Sequence, residues 1–319
     1  MTAHKTNAVL RVGMLEPTFH AELTARYDIP TLPEGPQRAE FLSEHSACVR
    51  AVAMSGYGSV DADLIEKLPN LGAIVMNGVG VDSIDLDKAQ RRGIGVSNTP
   101  DVETGTVADT ALGLILMALR RFGAADRFVR AGRWGRDGQF PYARDVTGLR
   151  IGILGLGRIG SAIATRLVGF GCDIAYHNRH RVDGSPYRYA ESPLALAQSV
   201  DLLVVAAAGG ARHLVDRTVL EALGPEGYLV NIARGSVVDQ DALVQLVANG
   251  GLAGAGLDVF ADEPHVPAEL YDLDNVVLLP HIGSATARTR TAMALLAIRN
   301  LENYLSTGEL VTPVLRPRR

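Results

Sequence analysis

Three glycines spaced G-x-G-x-x-G, namely Gly155, Gly157 and Gly160, lie in residues 150–178, RIGILGLGRIGSAIATRLVGFGCDIAYHN. A turn of this kind can hold a pyrophosphate. The first glycine permits a tight strand-to-helix turn, the second lets the phosphates approach the main chain, and the third lets helix and strand pack closely. Backbone N–H groups around Leu156, Arg158 and Ile159 then meet the anion at the start of the helix. In a chain with 34 glycines the motif alone is weak evidence, and its context gives it weight. Ile151, Ile153 and Leu154 form an apolar run before it, residues 159–170 carry apolar side chains at helical spacing, and a second run at 174–176 closes the unit. The competing reading is a glycine-rich turn that binds nothing.

A dinucleotide unit that takes NAD usually ends its second strand with an acid that grips the ribose 2′-hydroxyl. Here Asn178 takes that place, followed by Arg179, His180 and Arg181. A carboxylate would repel a 2′-phosphate, whereas Asn and two arginines would welcome one. The expected cofactor is therefore NADP, with NAD possible. These arginines can also be read as solvated loop residues, since of 31 basic residues only Lys5, Lys67 and Lys88 are lysines.

Rigid elements must stand behind such a turn. From residue 150 onward, strands are expected at 150–154, 172–177, 201–207, 227–232, 254–257 and 275–279. They alternate with helices near 158–169, 193–199, 216–223 and 239–249, the pattern of a doubly wound parallel sheet. Upstream, 9–15, 48–54, 73–76 and 94–97 read as strands, and 60–68 as a short helix capped at Ser59 or Asp61. A long apolar helix at 101–121, a second at 124–131 and a polar stretch at 132–148 lead into the glycine turn. The last helix is expected at 284–305. The fold class is thus α/β, with two Rossmann-like or flavodoxin-like doubly wound parallel-sheet domains and a cleft between them.

Composition narrows the function classes. A length of 319 residues suits two domains, each with its own core. A net charge of -4 gives no long-range pull toward nucleic acid or an anionic membrane. The longest apolar run, 110–119, is too short to span a bilayer, and the first residues lack a signal-peptide pattern. Cys48 and Cys172, each in an apparent strand, read as buried reduced thiols rather than a disulfide or metal site, which fits a cytoplasmic protein.

Beyond the glycine turn, three further segments carry reactive side chains: NIARG (231–235), DVFADEP (258–264) and LPHIGSAT (279–286). With NGVGVDSID (77–85), VADTALGLILMALRR (107–121) and GLGRIG (155–160), they resemble the D-specific 2-hydroxyacid dehydrogenase family over nearly the whole chain. The segments GLGRIGSAIA, YHNR and VVLLPHIGS are most similar to its glyoxylate/hydroxypyruvate and aromatic-pyruvate reductase branch. The resemblance implies an NAD(P)-dependent oxidoreductase that reduces small 2-keto acids to D-2-hydroxy acids, with no metal. It implies a substrate-binding domain from 1–98 plus 285–319 and a cofactor domain from 99–284.

Such a reduction needs a hydride donor, a proton for the forming alkoxide and a cation for the substrate carboxylate. The family's roles carry onto His281 as the acid, because imidazole titrates near working pH. They carry onto Glu263 as the group that orients its ring and favours the imidazolium, and onto Arg234 as a fixed fork for the carboxylate or carbonyl oxygen. Val79 and Gly80 match the loop whose N–H groups meet the carboxylate, although a hinge glycine is the alternative. Thr106, Ile232, Ala233, Asp258 and Gly283 match cofactor contacts, and Asp258 can also be read as a strand-end cap. Residues 208–214, AGGARHL, depart from the family's usual loop, so no contact is carried over there. Most members are homodimers, and Trp134 is expected either at that interface or in the core. Two readings remain beside the reductase of glyoxylate and hydroxypyruvate. One is a dinucleotide-sensing corepressor of the same fold, and the other a reductase of 2-ketogluconate or aryl-pyruvates. A formate or phosphite dehydrogenase fits less well, because formate enzymes lack the Glu-His pairing.

Overall fold

The computed structural model describes residues 8–207, 210 and 212–318. The first seven residues and parts of the 208–214 loop therefore lie outside the described residues. In chain order the strands are β1 (Val9–Val12), β2 (Ala51–Met54), β3 (Ala73–Met76), β4 (Gly95–Ser97), β5 (Arg150–Leu154) and β6 (Asp173–His177). They continue as β7 (Arg188–Tyr189), β8 (Leu202–Val205), β9 (Tyr228–Asn231), β10 (Gly254–Leu257), β11 (Val276–Leu278) and β12 (Pro313–Leu315). The chain divides into two compact units, residues 1–103 with 286–319, and residues 104–285.

The first unit is built on a five-stranded sheet in the order β1-β2-β3-β4-β12. Strands β1 to β4 run parallel, and β12 joins β4 antiparallel, so the sheet is not parallel throughout. Beyond β1 an isolated parallel bridge pairs Arg11 with Thr31, made by Arg11 N to the Pro30 carbonyl at 2.9 Å and Leu32 N to the Arg11 carbonyl at 2.8 Å. All four residues of β2 and of β3 are buried, as expected where helices cover both faces. One face packs Leu42, Leu64, Ile65 and Ala89 from three short helices. The other packs Phe19 and Leu23 from the helix Pro17–Thr24 and Ala294, Ala297 and Leu301 from the helix Ala287–Thr307.

The second unit carries seven strands in the order β11-β10-β9-β8-β5-β6-β7, all parallel. The order reverses between β5 and β8, and in such sheets ligands bind beyond the strand ends at that reversal. Helices Thr104–Arg120 and Arg158–Val168 cover one face, burying Ala111, Leu114, Ile163 and Leu167. Helices Pro193–Ala197, Arg217–Leu223 and Gln240–Asn249 cover the other.

Several expectations shift. The long helix begins at Thr104 rather than 101, because Asp101 takes φ 70°, and it ends where Arg121 takes φ 53°. The stretch at 132–148 contains a short helix, Arg133–Asp137. Trp134 is 66% exposed and is therefore not a core residue. The cysteine reading needs correction as well. Cys48 ends a 3-10 turn, Ser46–Cys48, and is exposed, since pairing of β2 with β1 starts only at Ala51. Cys172 precedes β6 and is half-buried, its Sγ 3.3 Å from the Val146 carbonyl.

Candidate active site

In the second unit the glycine turn lies between β5 and the helix Arg158–Val168, at the strand-order reversal. Gly155 has φ 103°, and a Cβ there would come within 2.5 Å of the Ala207 backbone. A Cβ on Gly160 would collide with the Gly155 carbonyl, so this glycine lets the helix pack on its own strand. Gly157, the N-cap, would meet nothing within 4 Å, which leaves its main chain open to an approaching group. The three positions thus have the tight turn, the open approach and the close packing that a pyrophosphate cradle requires.

Asn178, directly after β6, is fastened to this turn. Its Oδ1 accepts from the Leu156 N–H at 2.6 Å, and its Nδ2 lies 3.5 Å from the Leu156 carbonyl. The two arginines after it differ. Arg181 pairs with Glu191 at 2.8 Å and lies over the Tyr189 ring at 4.8 Å. Arg179 is exposed and has no carboxylate partner among the described residues, and His180 is exposed beside it.

The reactive side chains of this unit come from the loops after β9, β10 and β11. After β9, buried Asn231 accepts from Ala233 N at 3.0 Å and donates to the Arg234 carbonyl at 3.0 Å, closing the Ile232-Ala233-Arg234 turn. Gly235 completes it, because any Cβ there would overlap the Phe260 backbone. After β10, Glu263 accepts from Phe260 N at 3.0 Å through Oε1 and meets His281 Nδ1 through Oε2 at 2.7 Å. Burial raises the Glu263 pKa, but the His281 hydrogen bond and charge, the Phe260 N–H and the Arg234 guanidinium together bring it below the ordinary value. Glu263 is therefore a carboxylate at neutral pH, and it holds Nδ1. Nε2 remains as the ring atom able to hand over a proton.

His281 adopts φ 52°, a left-handed backbone that non-glycine residues rarely take and that costs of order 1–3 kcal/mol. Asp258 holds it there. The Asp258 carbonyl accepts from His281 N at 2.9 Å, while its two carboxylate oxygens accept from Ile282 N and Gly283 N, both at 2.8 Å. A Cβ on Gly283 would sit 2.9 Å from Asp258 Oδ2, so the clasp needs glycine. Burial pushes the Asp258 pKa up in spite of those two donors. The Asp258 carboxylate thus caps the loop that follows β11, 24 and 25 residues along the chain. Thr110 Oγ1, one turn after Thr106 on the long helix, lies 3.3 Å from the Gly283 carbonyl, a link no spacing rule signalled.

In the first unit, Val79 and Gly80 follow β3 and are half-buried. Two groups of that same unit fasten the loop: Thr99 N donates to the Gly78 carbonyl at 2.9 Å, and Asn98 Nδ2 donates to the Val79 carbonyl at 2.7 Å. Sequence reasoning missed Asn98, although it stands in the Asn-Thr-Pro-Asp turn after β4.

Residues 112–283 match a family model described as the NAD binding domain of D-isomer specific 2-hydroxyacid dehydrogenases. The chain is 47% identical to a glyoxylate/hydroxypyruvate reductase A of Arabidopsis thaliana over 309 residues, 96% of this chain and 98% of that one. It is 43% identical to a hydroxyphenylpyruvate reductase of Plectranthus scutellarioides over the same shares. Among solved structures, an NADPH-dependent glyoxylate/hydroxypyruvate reductase from Sinorhizobium meliloti, in complex with NADP and malonate, is similar. It aligns with a TM-score of 0.89 at 40% identity, covering 100% of this chain and 99% of that chain.

Proposed function

Because the chain belongs to the D-isomer specific 2-hydroxyacid dehydrogenase family, we propose that it is an NADPH-preferring reductase of small 2-keto acids. Its substrates are glyoxylate and hydroxypyruvate first, and its products the D-2-hydroxy acids. The observation that carries this reading is the 2.7 Å pairing of Glu263 with His281 in the unit that also holds the pyrophosphate cradle. Residues 155–160, with Thr106, Ile232, Ala233, Asp258 and Gly283, would hold a nicotinamide dinucleotide, which would supply the hydride. His281 gives a proton from Nε2 to the alkoxide as it forms. Glu263 stays ionised, fixes the ring through Nδ1 and balances the imidazolium charge. Arg234 offers two parallel N–H groups to the substrate carboxylate or carbonyl oxygen. The Val79 and Gly80 N–H groups take the carboxylate, in the substrate-binding domain of residues 1–98 and 285–319. Asp258 serves this site by shaping the 281–283 loop.

The preference for NADPH rests on Asn178 standing where an acid would repel the 2′-phosphate and on the exposed Arg179 beside it. A homodimer is supported by Phe122, Val129, Trp134 and Tyr142, large apolar side chains exposed in one stretch of the chain. The two free thiols suit a cytoplasmic location. A second reading, a reductase of aryl-pyruvates, is favoured by the likeness to the hydroxyphenylpyruvate reductase. Initial rates with glyoxylate, hydroxypyruvate, 2-ketogluconate and an aryl-pyruvate, each with NADPH and NADH, test all of this. The highest kcat/KM is expected with NADPH and glyoxylate or hydroxypyruvate. Faster turnover with NADH would reverse the cofactor preference. Inactivity on the whole panel would leave a dinucleotide-sensing binding protein as the better account.

A further inference from the structure

We propose that Asn98 is a positioning residue for the substrate carboxylate, one that sets the aim of the Val79 and Gly80 N–H groups without touching substrate. The inference rests on the reading above that this loop receives the carboxylate. A trans peptide unit is planar, with its carbonyl and its N–H pointing in opposite directions. Anchoring the Gly78 carbonyl therefore sets the direction of the Val79 N–H, and anchoring the Val79 carbonyl sets that of the Gly80 N–H. Both anchors come from adjacent residues: Thr99 N holds the Gly78 carbonyl at 2.9 Å, and Asn98 Nδ2 holds the Val79 carbonyl at 2.7 Å. One dipeptide thus aims both N–H groups from behind.

Asn98 is itself held from the end of the chain. Its carbonyl accepts from Thr312 Oγ1 at 2.6 Å, and its N–H lies 3.4 Å from the Thr312 carbonyl. Thr312 Oγ1 in turn accepts from Asn300 Nδ2 at 2.9 Å. Asn300, fully buried in the helix Ala287–Thr307, also accepts from Val311 N and Thr312 N through Oδ1, both at 2.9 Å. The hydrogen bonds run unbroken from Asn300 through Thr312 and Asn98 to Val79, all within the first unit. The side chain at 98 must be an amide for this purpose. An aspartate of the same size would turn an acceptor toward the Val79 carbonyl and set a negative charge behind a site meant for an anion.

The test uses Asn98→Asp and Thr312→Val in the full chain, with glyoxylate as substrate. Steady-state kinetics, NADPH binding by fluorescence titration and thermal melts are compared with wild type. In Asn98→Asp, KM for glyoxylate is expected to rise at least tenfold, with kcat within about threefold and the NADPH Kd within about twofold. Thr312→Val, which only loosens the anchor, should show the same pattern with a smaller rise in KM. An unchanged KM in both variants overturns the proposal. So does a rise in KM matched by parallel losses of kcat and cofactor affinity, the pattern of a general structural defect. If Asn98→Asp does not fold, Thr312→Val decides alone: a raised KM with kcat and Kd held supports the proposal, and an unchanged KM overturns it. Wild-type inactivity on every keto acid would strike the reading of the activity itself, whereas wild-type activity with an unshifted KM strikes this inference alone.

Discussion

At Gly155 the chain takes φ 103° with no side chain to hinder it, whereas at His281 it takes φ 52° with an imidazole attached. Both positions lie just past strand ends of the same seven-stranded sheet. The glycine turn exists to bring bare main chain close to a ligand, so it removes every Cβ that would collide. The loop at 281 must instead present a ring, so it keeps the side chain and holds the unfavourable backbone with outside hydrogen bonds. Asp258 supplies three acceptor atoms for that loop: its carbonyl for His281 N and its carboxylate for Ile282 N and Gly283 N. One region is therefore encoded by what its residues lack, the other by a partner 23 positions upstream of the ring it serves.

The comparison breaks most visibly at the ring. His281→Ala should lower kcat by about 10²–10⁴ while NADPH binds as before, read by steady-state rates and fluorescence titration. Near-wild-type turnover would remove the acid assignment. Gly155→Ala should do the reverse. With the Ala207 backbone 2.5 Å from the new Cβ, it should weaken NADPH binding at least about tenfold and cost more than about 1 kcal/mol of stability in a denaturant titration. Asp258→Asn separates the two devices. The amide keeps one acceptor oxygen but faces the other N–H with a donor, so turnover should fall about tenfold and stability by about 1–3 kcal/mol. NADPH affinity should fall less than in Gly155→Ala, because the 155–157 turn does not depend on that carboxylate.

The smallest effect is expected at the opposite end of β5. Asp201 accepts from the Arg150 guanidinium and main chain and from Arg144, and the Arg150 hydrogen bonds hold its carboxyl at about 2 against the ordinary 3.8. A lowered folded-state pKa means that the stabilisation is complete above the unfolded value and is lost as pH falls through the folded one. Asp201→Asn should therefore cost about 1–2 kcal/mol at neutral pH and flatten the loss of stability between about pH 5 and pH 2. KM values should stay unchanged. A shift in either KM would show that the two ends of the sheet are coupled.

Most elements of the second unit are legible because each carries a strong local signal. Strand β10 falls on the four residues expected, 254–257, and the glycines delimit the first turn to within a residue. Short, polar elements of the first unit are not legible. The helix Gln37–His45 buries only Leu42, and Leu86–Arg92 only Ala89, so neither shows an apolar stripe of detectable period. Strand β12 has three residues, one of them proline, and exists only because β4 offers it an edge. The site divides in the same way. The pyrophosphate cradle can be argued from the glycine spacing within its strand-helix-strand context, whereas Arg234, Glu263 and His281 are singled out only by likeness to a family. The Asp258 clasp, the Thr110 link and the Asn98 anchor follow from tertiary geometry, for which no spacing in the chain is a proxy.

Asn178 fastens the first turn through an acceptor oxygen, and the second contact of its amide is long at 3.5 Å. An aspartate, which has the same shape, would keep that fastening and leave its other oxygen for a ribose hydroxyl. If NADPH is preferred as proposed, one isosteric exchange would be enough to move coenzyme choice toward NADH, at a place where the architecture would hardly notice. The ratio of initial rates with the two dinucleotides is the quantity that such a change would move, while the melting temperature would stay where it was.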